Sequence, residues 1–357
     1  GGIDSSALAT LLTEISGQSI HTFHIAFSAA SHDESEYAKA VAERIGSRHH
    51  TVHFGPEAFD LLPRIISRLE EPQCSATSIP IYLLYKACHE AGFKVILTGE
   101  GADELLGGYH WLDGDRRIRP FLTIPQPLRQ LLSHLPLPGS TAGQRVLTHG
   151  THDPLARFIL WHQVTPPDLL QMLFNRGERG GRRDKDKPFA LSAPSAVDSF
   201  HPLNQFLVLE AQTRMVDFIN FEVDRMSMVS SVEARPPFLD HQLWEFCAQL
   251  PPELKLNATM NKVLLRRGMM DLLPTAVTNR PKQGLATPHA AWWCSERLPA
   301  WAEECLQPNS LRETGHFNEE VFQRLREEHR YGRTDHSRIL TGILTTQLWH
   351  QAMEIRD

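Results

Sequence analysis

The chain has 357 residues, 41% hydrophobic and 22% charged, enough to bury the core of one large or two modest globular domains. A formal net charge of −6 argues against the broad basic surface that nucleic-acid binding needs, and no apolar run approaches the roughly 18–20 residues that span a bilayer. Five scattered cysteines without a C-x-x-C pair match neither a disulfide framework nor a zinc site, and fit a reducing cytoplasm.

The chain opens on Gly1-Gly2-Ile3-Asp4-Ser5-Ser6, followed by apolar residues at helical spacing from Ser5 to Ile15. Glycines let a backbone approach an anion closely, and the free N–H groups of a first helical turn point at it. Asp4 is of the type that holds Mg²⁺ against phosphate. An equal alternative is that Asp4 or Ser5 only caps the helix. There is no G-K-[ST], so this is not a Walker loop.

Next, Ile20 to Phe27 alternates as a strand, Glu34 to Ile45 reads as a helix, and His50 to Phe54 as a second strand. His49, His50 and His53 lie in or beside that strand without a matching Cys or carboxylate pattern, so a strand position is preferred to a metal site. Helices are expected at Pro56 to Leu69 and Ile79 to Ala91, then a buried strand at Phe93 to Thr98. Strand–helix–strand alternation predicts an α/β fold: a parallel sheet with helices on both faces, its ligands at the carboxyl ends of the strands.

That third strand runs into Gly99-Glu100-Gly101-Ala102-Asp103-Glu104, continuing to Gly107-Gly108-Tyr109. It reads as a flexible loop in which three acids in five residues repel one another unless a cation or ligand offsets them. A solvated turn with capping acids would leave the dense interleaving of glycine and acid unexplained.

From about residue 115 strand signals thin out. A Pro-rich connector at Pro120 to Pro138 leads to helices near Pro154 to Val164 and Asn204 to Ser231, then Gln242 to Leu250, Lys262 to Leu273, Asn318 to Glu328 and Arg338 to Glu354. The run Arg176 to Lys187 mixes both charge signs with glycine and reads as a mobile loop over 176–190. The expected division is an α/β core at 1–115, a helical part at 116–300 and a helical tail at 301–357. Asp224, Arg225, Glu233, Arg235 and Asp240 sit among apolar residues, and for Glu233, Arg235 and Asp240 an ion-pair network has at least as strong a claim as a substrate site. Asn279-Arg280-Pro281-Lys282-Gln283-Gly284 is a cationic loop able to offset phosphate charge.

Gly1 to Ser6 resembles the S-G-G-x-D-S loop of the ATP pyrophosphatases without its leading Ser. L-T-G-E-G-A-D-E-L-L-G-G-Y, S-V-E-A-R-P-P-F-L-D and R-P-K-Q-G, in that order, resemble the synthetase domain of glutamine-dependent asparagine synthetases. The likeness runs from Gly1 to about Pro288. It implies an ATP-pyrophosphatase fold, adenine-nucleotide α-hydrolase-like, with a packed helical C-terminal region. It implies ATP on Gly1, Gly2, Ile3, Asp4, Ser5 and Ser6, with Ile25 lining the adenine pocket and Thr98 and Gly99 contacting the nucleotide. Asp4 and Asp103 match Mg²⁺ ligands, Glu100 a general base, Lys282 a lysine that steadies phosphate charge, and Asp224 and Arg235, more loosely, the acceptor site.

The implied chemistry is ATP-dependent adenylation of the aspartate side chain, then amidation by ammonia to give asparagine, AMP and pyrophosphate. Implied partners are small molecules and an N-terminal glutaminase domain that supplies ammonia from glutamine, with a homodimer allowed and neither nucleic acid nor membrane. That glutaminase domain and the strand ahead of Gly1 are not in this sequence, which begins without Met, so the chain reads as a fragment expected to fold poorly and bind ATP weakly. Around Glu71 to Pro80, Ser75 and Ala76 stand where some members carry Arg or Asp, which bears on the acceptor acid. The rivals are a β-lactam-synthetase-like or metabolite-modifying enzyme, a tRNA-modifying pyrophosphatase, and a non-catalytic relative. The last is opposed by the joint presence of Asp4, Glu100, Asp103 and Lys282.

Overall fold

The computed structural model describes residues 1–28, 33–133, 146–174, 201–284, 287, 289–294 and 298–354. The expected mobile loop at 176–190 lies outside them. The first third alternates as anticipated: α1 (Ile3–Ser16), β1 (His21–Phe27), α2 (Ser35–Ile45), β2 (Arg48–Phe54), α3 (Leu62–Leu69), α4 (Ser78–Glu90) and β3 (Val95–Leu97). β1 and β2 run parallel, pairing Ile25 with Val52 and Phe27 with Phe54. His49, His50 and His53 are strand residues, and His50 stacks on Phe23 at 4.5 Å.

The expected single sheet is replaced, among the described residues, by two parallel pairs. β3 pairs not with β1 but with a short strand far along the chain, β4 (Glu233–Arg235), matching Val95 to Glu233 and Leu97 to Arg235. Three residues of alternating polarity carry too weak a period to be read as a strand. The consequence is functional, since β4 brings the residue-235 backbone to the end of β3, where Thr98 N donates to Arg235 O at 3.0 Å.

The acidic segment is not a loop. Ala102–Leu106 forms a short helix, α5, bounded by left-handed Gly101 and Gly107. The Pro-rich connector is also partly helical. α6 (His110–Leu122) holds Pro120 in its last turn, where the missing N–H forfeits a single helical bond and the helix ends two residues later, and α7 (Gln126–Ser133) follows. After α8 (Pro154–His162) and α9 (Pro167–Leu173) come α10 (Pro202–Gln212), a π-helical turn at Met215–Asn220 and α11 (Phe221–Val229). The continuous helix expected over 204–231 therefore breaks at Thr213, whose hydroxyl donates to Leu209 O and whose backbone leaves the helical region.

α12 (His241–Ala248), α13 (Val263–Gly268) and α14 (Thr275–Thr278) precede a helical tail that ends in α19 (Ser337–Glu354), with α15 to α18 at His289–Cys294, Ala300–Cys305, Pro308–Thr314 and Glu319–Arg330. The main core joins Phe27 and Phe54 of the strands, Leu62 and Ile66 of α3, Ile79 of α4, Met226 of α11, and Leu340 and Leu344 of α19. The tail thus closes one face of the α/β layer. A hydrogen-bond loop reinforces it: Gln73 N donates to Thr345 Oγ1, which donates to Gln73 O at 2.7 Å. Among the described residues no helix is long and apolar enough to cross a membrane.

Candidate active site

The first turn of α1 carries the opening motif. Gly2 is its N-cap and no side chain caps it, so the capping role open to Asp4 and Ser5 is not taken up. Ile3 is instead locked into a core with Val41, Met269 and Val277. The first N–H groups of a helix have no intrahelical partner, and here they face the turn after β3. The approach is close: a Cβ on Gly99 would sit 3.0 Å from Ser5 N and 3.1 Å from Asp4 Cβ, so only glycine passes.

Two carboxylates and two ammonium groups converge there. Lys262 Nζ lies 2.6 Å from Asp4 Oδ1 and 2.6 Å from Asp103 Oδ1. Lys282 Nζ lies 2.6 Å from Asp103 Oδ2 and 3.8 Å from Asp4 Oδ2. Burial by itself would raise the Asp103 carboxyl, but the two lysines pull it down to about 2. Burial opposes the Lys282 charge, yet Asp103 and Asp4 push its ammonium up to about 12. A Cβ on Gly108 would collide with Asp103 Oδ1 and Lys262 Cε, so glycine is also required where Lys262 threads past the acidic turn.

Glu100 stands beside this cluster. Burial is the main influence holding its carboxyl above the ordinary range, Asp4 adds to it, and a Thr98 hydrogen bond and Lys282 oppose it. Its Oε2 is buried with no hydrogen-bond partner among the described residues, which leaves an acceptor atom available for a proton. Behind the turn, Glu104 accepts from the Tyr109 hydroxyl. Arg214 lies 4.3 Å over the Tyr109 ring and donates to Glu210, which also accepts from His162. This buried polar strut fastens the acidic turn to the helical part.

Asp4, Gly99, Asp103 and Lys282 are thus brought together. Ile25 is buried on β1 within the main core. Ser6 is buried on α1, and Ser5 Oγ donates back to Gly2 O. The two acceptor candidates are not in the cluster. Asp224 is exposed on α11, and Arg235 is 60% exposed and pairs with Glu233 at 2.7 Å. The network expected for the charged residues near 233–240 is therefore a local exposed pair plus a cap: Asp240 accepts from Gln242 N and Leu243 N at the start of α12. Arg280 also turns from phosphate to structure, donating to Glu34 at 2.8 Å and lying over the Tyr37 ring.

Lys262 belongs to the cluster although no motif marks it. The periodicity predicts a helix that starts at Lys262, a position where a cation opposes the helix dipole and Ser, Thr, Asn or Asp is preferred. That mismatch was the available signal. Its side chain is 1% exposed and its backbone is left-handed (φ 49°), an uncommon state for a non-glycine residue that functional sites tend to hold.

Asp4 and Asp103 aim their carboxylates at one point, here occupied by Lys262 Nζ. Carboxylate oxygens are the donor type a hard divalent cation takes, so this pair would be the one to hold Mg²⁺. Among the described residues no group of three or more His, Cys, Asp or Glu could hold a metal, so the remaining donors would have to come from a substrate.

Parallel strands, glycine turns and a paired lysine–aspartate cluster make up a site of donor types suited to phosphate, and comparison with known proteins gives the family. The family model described as asparagine synthase matches residues 1–351. The chain belongs to the asparagine synthase family. It is 31% identical, over 98% of its own length and 53% of the relative's, to a protein of Mycobacterium tuberculosis (strain ATCC 25618 / H37Rv) named putative asparagine synthetase [glutamine-hydrolyzing]. It is 28% identical, over 98% and 55%, to asparagine synthetase [glutamine-hydrolyzing] 1 of Bacillus subtilis (strain 168). It is also 26% identical, over 82% and 49%, to amidase chyE of Penicillium rubens (strain ATCC 28089 / DSM 1075 / NRRL 1951 / Wisconsin 54-1255). The chain spans about half the length of the curated relatives it matches.

Proposed function

We propose that this chain is the ATP-consuming part of an amide-forming ligase that makes asparagine from aspartate and ammonia, releasing AMP and pyrophosphate. The observation that carries the reading is the convergence of the α1 start, the acidic turn and the late lysine in one cluster, with Lys282 Nζ 2.6 Å from Asp103 and 3.8 Å from Asp4.

The residues divide the work as follows. The N–H groups at the start of α1, with Gly1, Gly2, Ser5 and Ser6, receive the β,γ-phosphates of ATP, and Ile25, Thr98 and Gly99 border the nucleotide. Asp4 and Asp103 would hold Mg²⁺, which when bound offsets phosphate charge. A carboxylate of the acceptor acid attacks the α-phosphorus, forming an acyl–AMP anhydride as the bond to pyrophosphate breaks. Lys282 and Lys262 offset the negative charge that develops on the departing pyrophosphate. Ammonia then attacks the acyl carbon, Glu100 accepts the surplus proton, and AMP leaves. Adenylation supplies the leaving group that a bare carboxylate lacks. Asp224 and Arg235 are proposed as acceptor-side contacts. An N-terminal glutaminase domain as the ammonia source, a cytoplasmic location and a homodimer belong to the same proposal.

The match to a protein named an amidase favours a second reading in which the acid is one other than aspartate. Pyrophosphate release, measured with MgATP and ammonia against a panel of carboxylic acids, separates the two. Strict dependence on aspartate supports the first reading, dependence on another acid supports the second, and amide formation that is unchanged in Glu100→Ala removes Glu100 from the mechanism.

A further inference from the structure

Arg266 on α13 is 4% exposed, yet it has no carboxylate within ion-pair distance among the described residues. A buried cation normally requires a charged partner, so its retention here needs another reason. The guanidinium is spent on backbone and amide acceptors. Its Nε donates to Asn261 O at 2.9 Å and Oδ1 at 3.2 Å, and Nη2 donates to Asn261 Oδ1 at 2.9 Å. Its Nη1 donates to Thr278 O at 2.6 Å and Arg280 O at 3.0 Å. Asn261 in turn donates through Nδ2 to Gly108 O at 2.8 Å.

These bonds link three stretches of chain: the residue before Lys262, the loop two residues ahead of Lys282, and the end of the acidic turn that carries Asp103. Lys262 itself sits in a left-handed backbone, a conformation its surroundings must impose. We propose that Arg266, acting through Asn261, is a positioning residue that fixes the spacing of Lys262 and Lys282 against Asp4 and Asp103, and so sets the geometry in which pyrophosphate departs. A planar fork of five donors meets these acceptors together, and a lysine point charge does not. The inference rests on the proposed function for its link to turnover, but not for its geometry.

The test compares Arg266→Lys, Asn261→Ala and Asn261→Asp with the parent chain. Thermal melting checks folding, and two readouts follow: kcat and KM for acid-dependent pyrophosphate release, and calorimetric binding of magnesium pyrophosphate. Misplacing a catalytic group by about 1 Å costs on the order of 100-fold. The expected result is therefore a folded Arg266→Lys protein with kcat down about 10- to 100-fold, weaker pyrophosphate binding, and KM for the acid within about two-fold. Asn261→Asp keeps the acceptor for Arg266 but loses the donor to Gly108, and should fall between the parent and Asn261→Ala. Folded variants with parental kcat and parental pyrophosphate affinity overturn the proposal, as does a defect confined to KM for the acid. If Arg266→Lys does not fold, Asn261→Ala decides by the same readouts. A parent chain that releases no pyrophosphate with any acid, but whose pyrophosphate affinity still falls in the variants, removes the proposed function and leaves the positioning role standing.

Discussion

Lys262 Nζ and Asp4 Oδ1 meet at 2.6 Å across 258 residues of chain, tying the first helical turn to the start of α13. The lysine side chain is 1% exposed and the aspartate 13%, so the contact is shielded from salt and water. Its neighbour Asp103 shares the same ammonium. Removing the lysine would leave two carboxylates facing each other with Lys282 alone to balance them.

Lys262→Met should therefore lower stability by about 3–5 kcal/mol, the usual cost of orphaning a buried charge. It should also cut pyrophosphate release by on the order of 100-fold or more, as loss of one preorganised donor does. Pairing it with Asp103→Asn should restore much of the stability and none of the turnover. Chemical denaturation of the single and double variants, followed alongside turnover, checks both halves.

The pH dependence of stability has two signs within one cluster. Asp103 titrates lower in the folded chain, near 2, than the ordinary value of about 3.9. Its contribution is present above pH ~4 and is lost as pH falls toward 2. Lys282 titrates higher, near 12, than the ordinary ~10.4, so its contribution is full below that value and is lost as pH rises through 12. Melting temperatures should stay level on account of this pair through neutral pH and drop at both ends. Asp103→Asn should flatten the acid limb, and Lys282→Met the alkaline one.

Glu222 supplies a contrast on α11. It is 3% exposed and accepts from the Thr77 hydroxyl at 2.9 and 3.0 Å, while burial pushes its carboxyl up to about 7. An acid raised above its unfolded value of about 4.3 stabilises least once it must ionise, so stability falls as pH rises from ~4.3 through 7. The swing is roughly 4 kcal/mol at most from the size of the shift. Glu222→Gln should abolish that slope between about pH 4.5 and 7, and a melting series that keeps the parental slope would contradict the assignment.

Glu100→Gln addresses the chemistry. Because burial holds the Glu100 carboxyl above the ordinary range, the acid limb of the amidation rate should lie above ~4.3 in the parent and vanish in the variant. The ammonia-dependent step should slow by about 10²–10⁴-fold, while acid-dependent exchange of pyrophosphate with ATP persists. Loss of the exchange as well would assign Glu100 to the first half-reaction.

Part of this could be read without coordinates. Alternating strand and helix patterns placed β1, β2, α1, α2 and α4 to within a few residues, because each carries its own periodicity. The glycine–acid turn stood out because a solvated turn does not explain its dense interleaving, and the Arg280–Gly284 loop only because it follows the other resembling motifs in order. Local pattern failed where it was overridden, as at Pro120 in a last helical turn and at Thr213, where a side-chain hydrogen bond competes with the helix.

What the amino-acid order determined by itself was therefore local: which segments are helices or strands, and which residue types are present to handle phosphate and protons. What only the tertiary structure decided was partnership. The pairing of β3 with β4, the use of Arg280 on Glu34, the exposed place of Arg235, and above all the entry of Lys262 between Asp4 and Asp103 depend on packing between distant segments. Periodicity reports which face of an element is buried, but long-range electrostatic pairing is settled by which loops the core brings within a few ångströms of each other.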